Sequence, residues 1–188
     1  MSRAYRIRIS ESLRRHVKVD DGIQSKLEIL DILSPDQTAA LLERELKAAG
    51  FEPRDDGQWV RVDDQGVEVR VDPKQSTVTV SASADRELEL HREKVVSAVA
   101  ENDATTRERG RQALETELEA EAAERQKDLQ AEVTAKLEGK LGDLRRELDQ
   151  ISNRVTAEAL KQKAASMGEV QEISEDPDTG SLTIRIKL

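Results

Sequence analysis

The chain has 188 residues, of which 37% are charged and 2% aromatic, with a net charge of −9. Tyr5, Phe51 and Trp59 are the only aromatics, so a modest core with an extensively solvated segment is expected. The acidic balance argues against general affinity for nucleic acid or anionic membrane, and the lack of cysteine excludes disulfides, thiolate metal sites and cysteine nucleophiles.

Tyr5, Ile7 and Ile9 alternate with Arg6, Arg8 and Ser10, the period of a half-buried strand. Val17 and Val19 predict a second short strand ending in a turn at Asp20-Asp21-Gly22, and Leu27, Ile29 and Leu30 suggest a third. The first helix is better marked. Ser34 is placed to cap it, Pro35 to open it and Gln37 to complete a capping box. Ala39, Leu42, Leu46 and Ala49 share one face, and Gly50 supplies the stop, after which Phe51 packs back on the last turn.

A strand meander follows: 59–62, then Val67, Val69 and Val71, then Val78 and Val80. Turns at Asp63-Asp64-Gln65-Gly66 and Asp72-Pro73-Lys74-Gln75 join them. The parity of Ala82, Ala84, Leu88 and Leu90 extends the last strand, in preference to a helix beginning at Asp85.

Between residues 107 and 167 the chain is dominated by strong helix formers, with Asn102 or Asp103 as cap and Gly168 as stop. Leu137, Leu141, Leu144, Leu148, Ile151 and Val155 recur at alternating four- and three-residue steps, a heptad seam. Leu129 and Val133 lead into it by four-residue steps, and Leu114 and Leu118 begin the stripe. Such a narrow seam must be buried, so these eight residues from Leu129 to Val155 are read as an interaction seam. Self-association, a hairpin folded near Gly139 and Gly142, or a partner's helix would each cover it. The chain closes with Val170 and Ile173, the turn Asp176-Pro177-Asp178-Thr179-Gly180, and the alternating Leu182, Ile184, Ile186 and Leu188.

The pattern is that of an α+β protein: a small antiparallel sheet body with one short packed helix over 1–101, a long helical coiled-coil arm or hairpin over 102–168, and a terminal β-hairpin over 169–188 that docks back on the body. Without an apolar signal core or an apolar run of about 18 residues, a soluble cytoplasmic protein is expected.

Little in the sequence has the form of a catalytic or metal site. His16 and His91 lack partners at ligand or triad spacing, and no phosphate-binding or dinucleotide motif is present. The aspartate pairs 20–21, 55–56 and 63–64 sit beside turn residues, so no catalytic, cofactor or metal residues are assigned. Two charge runs stand out. Glu115, Glu117, Glu119, Glu121 and Glu124 form a solvated helix face or a docking surface for a basic partner. Arg3, Arg6, Arg8, Arg14, Arg15 and Lys18 make a basic strand edge, open to an acidic protein or, with one aromatic nearby to stack a base, less readily to RNA.

Residues 1–8 (Met-Ser-Arg-Ala-Tyr-Arg-Ile-Arg) with Ser12-Leu13-Arg14-Arg15, the stretch 139–165 with Leu144-Arg145-Arg146-Glu147-Leu148-Asp149 and Asn153-Arg154-Val155-Thr156-Ala157-Glu158-Ala159-Leu160-Lys161, and the ending Thr179-Gly180-Ser181-Leu182-Thr183-Ile184-Arg185-Ile186 together resemble an accessory domain family of the bacterial FtsH ternary systems. The resemblance implies a non-enzymatic adaptor without a cofactor, working beside an AAA+ ATPase and a von Willebrand factor A protein in conflict or chaperone-like responses. A stand-alone coiled-coil homodimer and an RNA-binding module are the alternatives.

Overall fold

The computed structural model describes residues 5–100, 103–175 and 181–187. Arg3, the cap at Asn102, the turn at 176–180 and Leu188 fall outside them. The fold is α+β, and the elements run β1 (Tyr5–Lys26), α1 (Pro35–Ala48), β2 (Glu52–Pro53), β3 (Trp59–Val62), β4 (Val67–Asp72), β5 (Thr77–Ala98), α2 (Ala104–Met167), β6 (Glu169–Glu175) and β7 (Leu182–Lys187). β1 to β5 form one five-stranded sheet in the order β1-β5-β4-β3-β2, and β6 pairs with β7 in a separate two-stranded sheet. Two compact units divide the chain: residues 1–21 with 83–135, and residues 22–82 with 136–188.

In the first unit, β1 keeps a strict period of two. Ile7, Ile9, Val17 and Val19 are buried, and the inward positions between them carry half-buried Glu11, Leu13 and Arg15. Two short strands were expected here because charges interrupt the apolar pattern, yet the strand continues because those charges have partners. Glu11 meets Arg111 of α2 at 3.0 Å and Arg15 meets Glu119 at 2.7 Å. β5 behaves alike. Leu88 is buried, and the strand expected to continue through Leu90 does so and runs on to Ala98. A small apolar cluster of Ile7, Ile9, Ala98 and Leu114, with Val96 against it, closes the core of this unit. Gly110 lies where α2 crosses Ile9, whose δ-methyl occupies the space that a Cβ would need.

In the second unit, α1 has the anticipated capping box. The Gln37 amide N–H donates to Ser34 Oγ, and the Ser34 amide donates to Gln37 Oε1 at 3.2 Å. Ala39, Leu41, Leu42 and Leu46 are buried, Gly50 adopts φ +81°, and buried Phe51 donates its N–H to the Leu46 carbonyl. The meander pairs as expected, aligning Trp59 with Val71 and Val78 across three strands, and Arg61 with Val69 and Val80. Its turns rest on aspartates. Asp63 Oδ1 accepts from the amides of Gln65 and Val67, and Asp72 Oδ1 from those of Lys74 and Gln75.

Two expectations near residue 22 are corrected. The turn at Asp20-Asp21-Gly22 is absent, because β1 runs on to Lys26. Gly22 serves a close approach instead, since a Cβ there would sit 3.1 Å from the Val80 carbonyl oxygen. The third strand at 27–30 is also absent. Leu27 ends the pairing with a hydrogen bond to the Ser76 carbonyl, and the chain then turns irregularly toward Ser34.

α2 is one helix, so the hairpin alternative is not realised. Asp103 caps it: its carboxylate accepts from the Thr106 amide at 2.9 Å and the Thr106 hydroxyl at 2.7 Å. Gly139 and Gly142 lie on an open face and leave the helix unbroken. In β6 and β7, Ile173 is exposed and Leu182, Ile184 and Ile186 are half-buried.

Candidate functional site

Of the eight seam residues, Leu129, Val133, Leu137, Leu148, Ile151 and Val155 are buried, the last two completely. That burial occurs within a single chain. The ridge expected to require a second helix is covered by the protein's own structure, and Leu114, upstream on the stripe, shows how: it packs on β1 residues Ile7 and Ile9. A heptad stripe fixes the width of the surface to be covered, and a strand face fills that width as well as a helix does.

Flanking charges fix the helix on either side of the stripe. In the first unit Lys94 meets Glu117 at 3.1 Å, Arg15 meets Glu119, and Arg92 meets Glu121 at 2.7 Å. The basic partner of the acidic block is therefore this chain's own sheet. Glu121 sits below the usual glutamate range, because Arg92 hydrogen-bonds to it. The basic edge is likewise engaged: Arg8 pairs with Glu93 and Arg14 with Glu87 and Glu89, while His16 contacts Asp85.

The strongest polar centre, Arg61 with Glu147, was not singled out from sequence. Its guanidinium donates to both Glu147 carboxylate oxygens at 2.6 Å and to the Ala49 carbonyl at 2.9 Å, with its carbon 4.6 Å from the Phe51 ring centroid. One side chain thereby joins β3, the end of α1 and α2. The Arg61 hydrogen bond holds the Glu147 carboxyl below the usual glutamate range, against the upward push of burial. Arg154 to Glu45 and Lys140 to Asp63 add two further ties between α2 and this unit. No local pattern announces such a pair, whose partners lie 86 positions apart.

Leu141 and Leu144 are the exceptions on the ridge. They stay half-buried and line a groove of about 640 Å³, with Leu148, the strand residues Ile23, Val78 and Val80, and Leu27 just beyond β1. Lys26, Glu28, Arg145 and Asp149 supply charges of both signs along the groove. Ile23 is 45% exposed despite its apolar side chain. Apolar and polar side chains share the lining of this groove about equally. Among the described residues no His, Asp and Glu cluster could hold a metal ion, and no helix is long and apolar enough to cross a membrane.

A five-stranded antiparallel sheet, one long helix and a separate two-stranded sheet define an α+β protein. The chain belongs to the FtsH ternary system domain X5 family, whose model matches residues 1–188. It is thus a member of a family named for a multicomponent system, which implies protein partners. Neither the curated proteins nor the solved structures contain a match to this chain.

Proposed function

We propose that this protein is a non-enzymatic adaptor in an FtsH ternary system and that it binds a partner protein of that system through the groove beside α2. The observation carrying this reading is the selective exposure of Leu141 and Leu144 on a ridge otherwise buried from Leu129 to Val155. The occupant is a short partner segment presenting apolar anchors to Leu141, Leu144, Ile23 and Val80, with charges of both signs toward Arg145 and Asp149. The ion pairs Arg15–Glu119, Arg61–Glu147, Arg92–Glu121 and Lys140–Asp63 each join α2 to a sheet strand or sheet turn, which gives these charges a role in holding the fold. The AAA+ ATPase and the von Willebrand factor A protein of such a system are the partners to test.

Co-expression of the full chain with each of those proteins provides the experiment. Leu141→Lys with Leu144→Lys removes a complex seen with the wild type, while the helical signal and the monomer's hydrodynamic size are kept. A complex retained by that double variant, or no complex with any component of the system, refutes the assignment.

A further inference from the structure

The sheet has two margins, and they are built differently. At one, β2 is only two residues long and contains Pro53, which blunts it against further pairing. At the other stands β1, with 22 residues and no proline. β5 is its only neighbour in the sheet order, so its far edge has no strand partner among the described residues.

The outward side chains of β1 show which strand suits it. Over residues 6–18 they are Arg6, Arg8, Ser10, Ser12, Arg14, His16 and Lys18, without an acid. The facing row of β5 carries Asp85, Glu87, Glu89 and Glu93. Arg8 meets Glu93 at 2.8 Å, Arg14 meets Glu87 at 2.5 Å and His16 contacts Asp85, so each step along one strand is matched by an equal step back along the other. β1 thus already selects a neighbour with carboxylates at alternate positions. A second copy of β1 does not suit the edge, because antiparallel self-pairing sets cations against cations or serines. Arg6 and Lys18 are exposed, and neither appears in an ion pair among the described residues.

We infer that the outer edge of β1 over residues 6–18 receives an extended segment of a partner protein bearing Asp or Glu at every second position, which adds to the sheet as a further strand. Backbone hydrogen bonds supply the attachment and the cationic row supplies selectivity. This surface involves none of the groove residues, so it stands or falls apart from the groove.

A labelled synthetic peptide of alternating glutamate and valine, titrated into the full chain, tests the inference, with an alternating lysine–valine peptide as comparison. The glutamate peptide binds at low salt and slows amide hydrogen exchange within residues 6–18, and the lysine peptide does neither. Arg6→Glu with Lys18→Glu weakens binding by about tenfold or more without altering the circular dichroism spectrum. Failure of the glutamate peptide to bind, equal binding of both peptides, protection confined to residues outside β1, or a dimer of the free chain protected at β1 would each overturn the inference.

Discussion

Ile151 and Leu144 stand seven positions apart on the same seam, and substitution of each separates two accounts of what the seam does. Ile151 is fully buried, and truncating such a side chain to alanine removes its transfer free energy and leaves a cavity, a loss of about 3 kcal/mol. Leu144 is half-buried in the groove wall, so Leu144→Ala costs about 1 kcal/mol from the smaller area returned to water. Urea unfolding of the full chain, followed by far-ultraviolet circular dichroism, measures both. Because the chain covers Ile151 by itself, the wild-type midpoint stays fixed on dilution. Were the seam instead buried between two copies, a hundredfold dilution would lower the apparent stability by about 2.7 kcal/mol. A midpoint that falls on dilution, or equal costs for the two alanine substitutions, would refute the burial argument.

The Arg61 centre gives a second set of outcomes. Arg61→Ala loses a paired charge, a carbonyl hydrogen bond and an aromatic contact, together about 2–3 kcal/mol after allowance for its partial exposure, as read by urea denaturation. The folded Glu147 carboxyl lies below its ordinary value of 4.5, so its contribution is complete above pH 4.5 and is lost as the pH falls through the folded value. A pH series of unfolding free energies on Glu147→Gln should therefore be flatter in that acidic window than the wild type. Gly110→Ala gains about 1 kcal/mol of helix propensity but must displace the Ile9 δ-methyl from a packed cluster, costing about 1–3 kcal/mol. The net loss seen in thermal unfolding is smaller when Ile9→Val is present. Replacing Glu117, Glu119 and Glu121 together by glutamine accelerates amide exchange across residues 104–135 at low salt, and the difference from wild type shrinks toward about 1 M salt.

The parts legible in the sequence are those whose signals are local. Ser34, Pro35, Gln37 and Gly50 fix the ends of α1 through hydrogen bonds and a left-handed backbone within a few residues. Asp63 and Asp72 fix the meander turns in the same way. The reading of β1 failed where the pattern depended on distant partners. Glu11 and Arg15 look like interruptions until Arg111 and Glu119 stand opposite. Gly22 looks like a turn residue until the Val80 carbonyl is found against it. Of the candidate site, Leu141, Leu144 and Leu148 were legible as part of the seam, whereas Ile23, Val78 and Val80 read only as strand residues. Arg61 and Glu147 carried no local signal of their pairing, because 86 positions separate them.

The charges of β1 show why composition misleads about partners. Alternation along the strand sends Arg15 inward to α2 and Arg8 and Arg14 outward to β5. A run that reads as one basic edge is therefore split between opposite faces, and Arg8, Arg14 and Arg15 already meet carboxylates of the same chain. An anionic polymer would have to displace those carboxylates before it could bind, losing one ion pair for each one gained. A strand arriving at the open edge need not displace them, because backbone groups hold it and Arg6 and Lys18 stand at the two ends of the row. The same arithmetic applies to the acidic block, where Glu117, Glu119 and Glu121 hold the helix on its sheet. The two surfaces proposed for binding lie where the internal pairing stops among the described residues: the half-covered leucines at 141 and 144, and the far edge of the first strand.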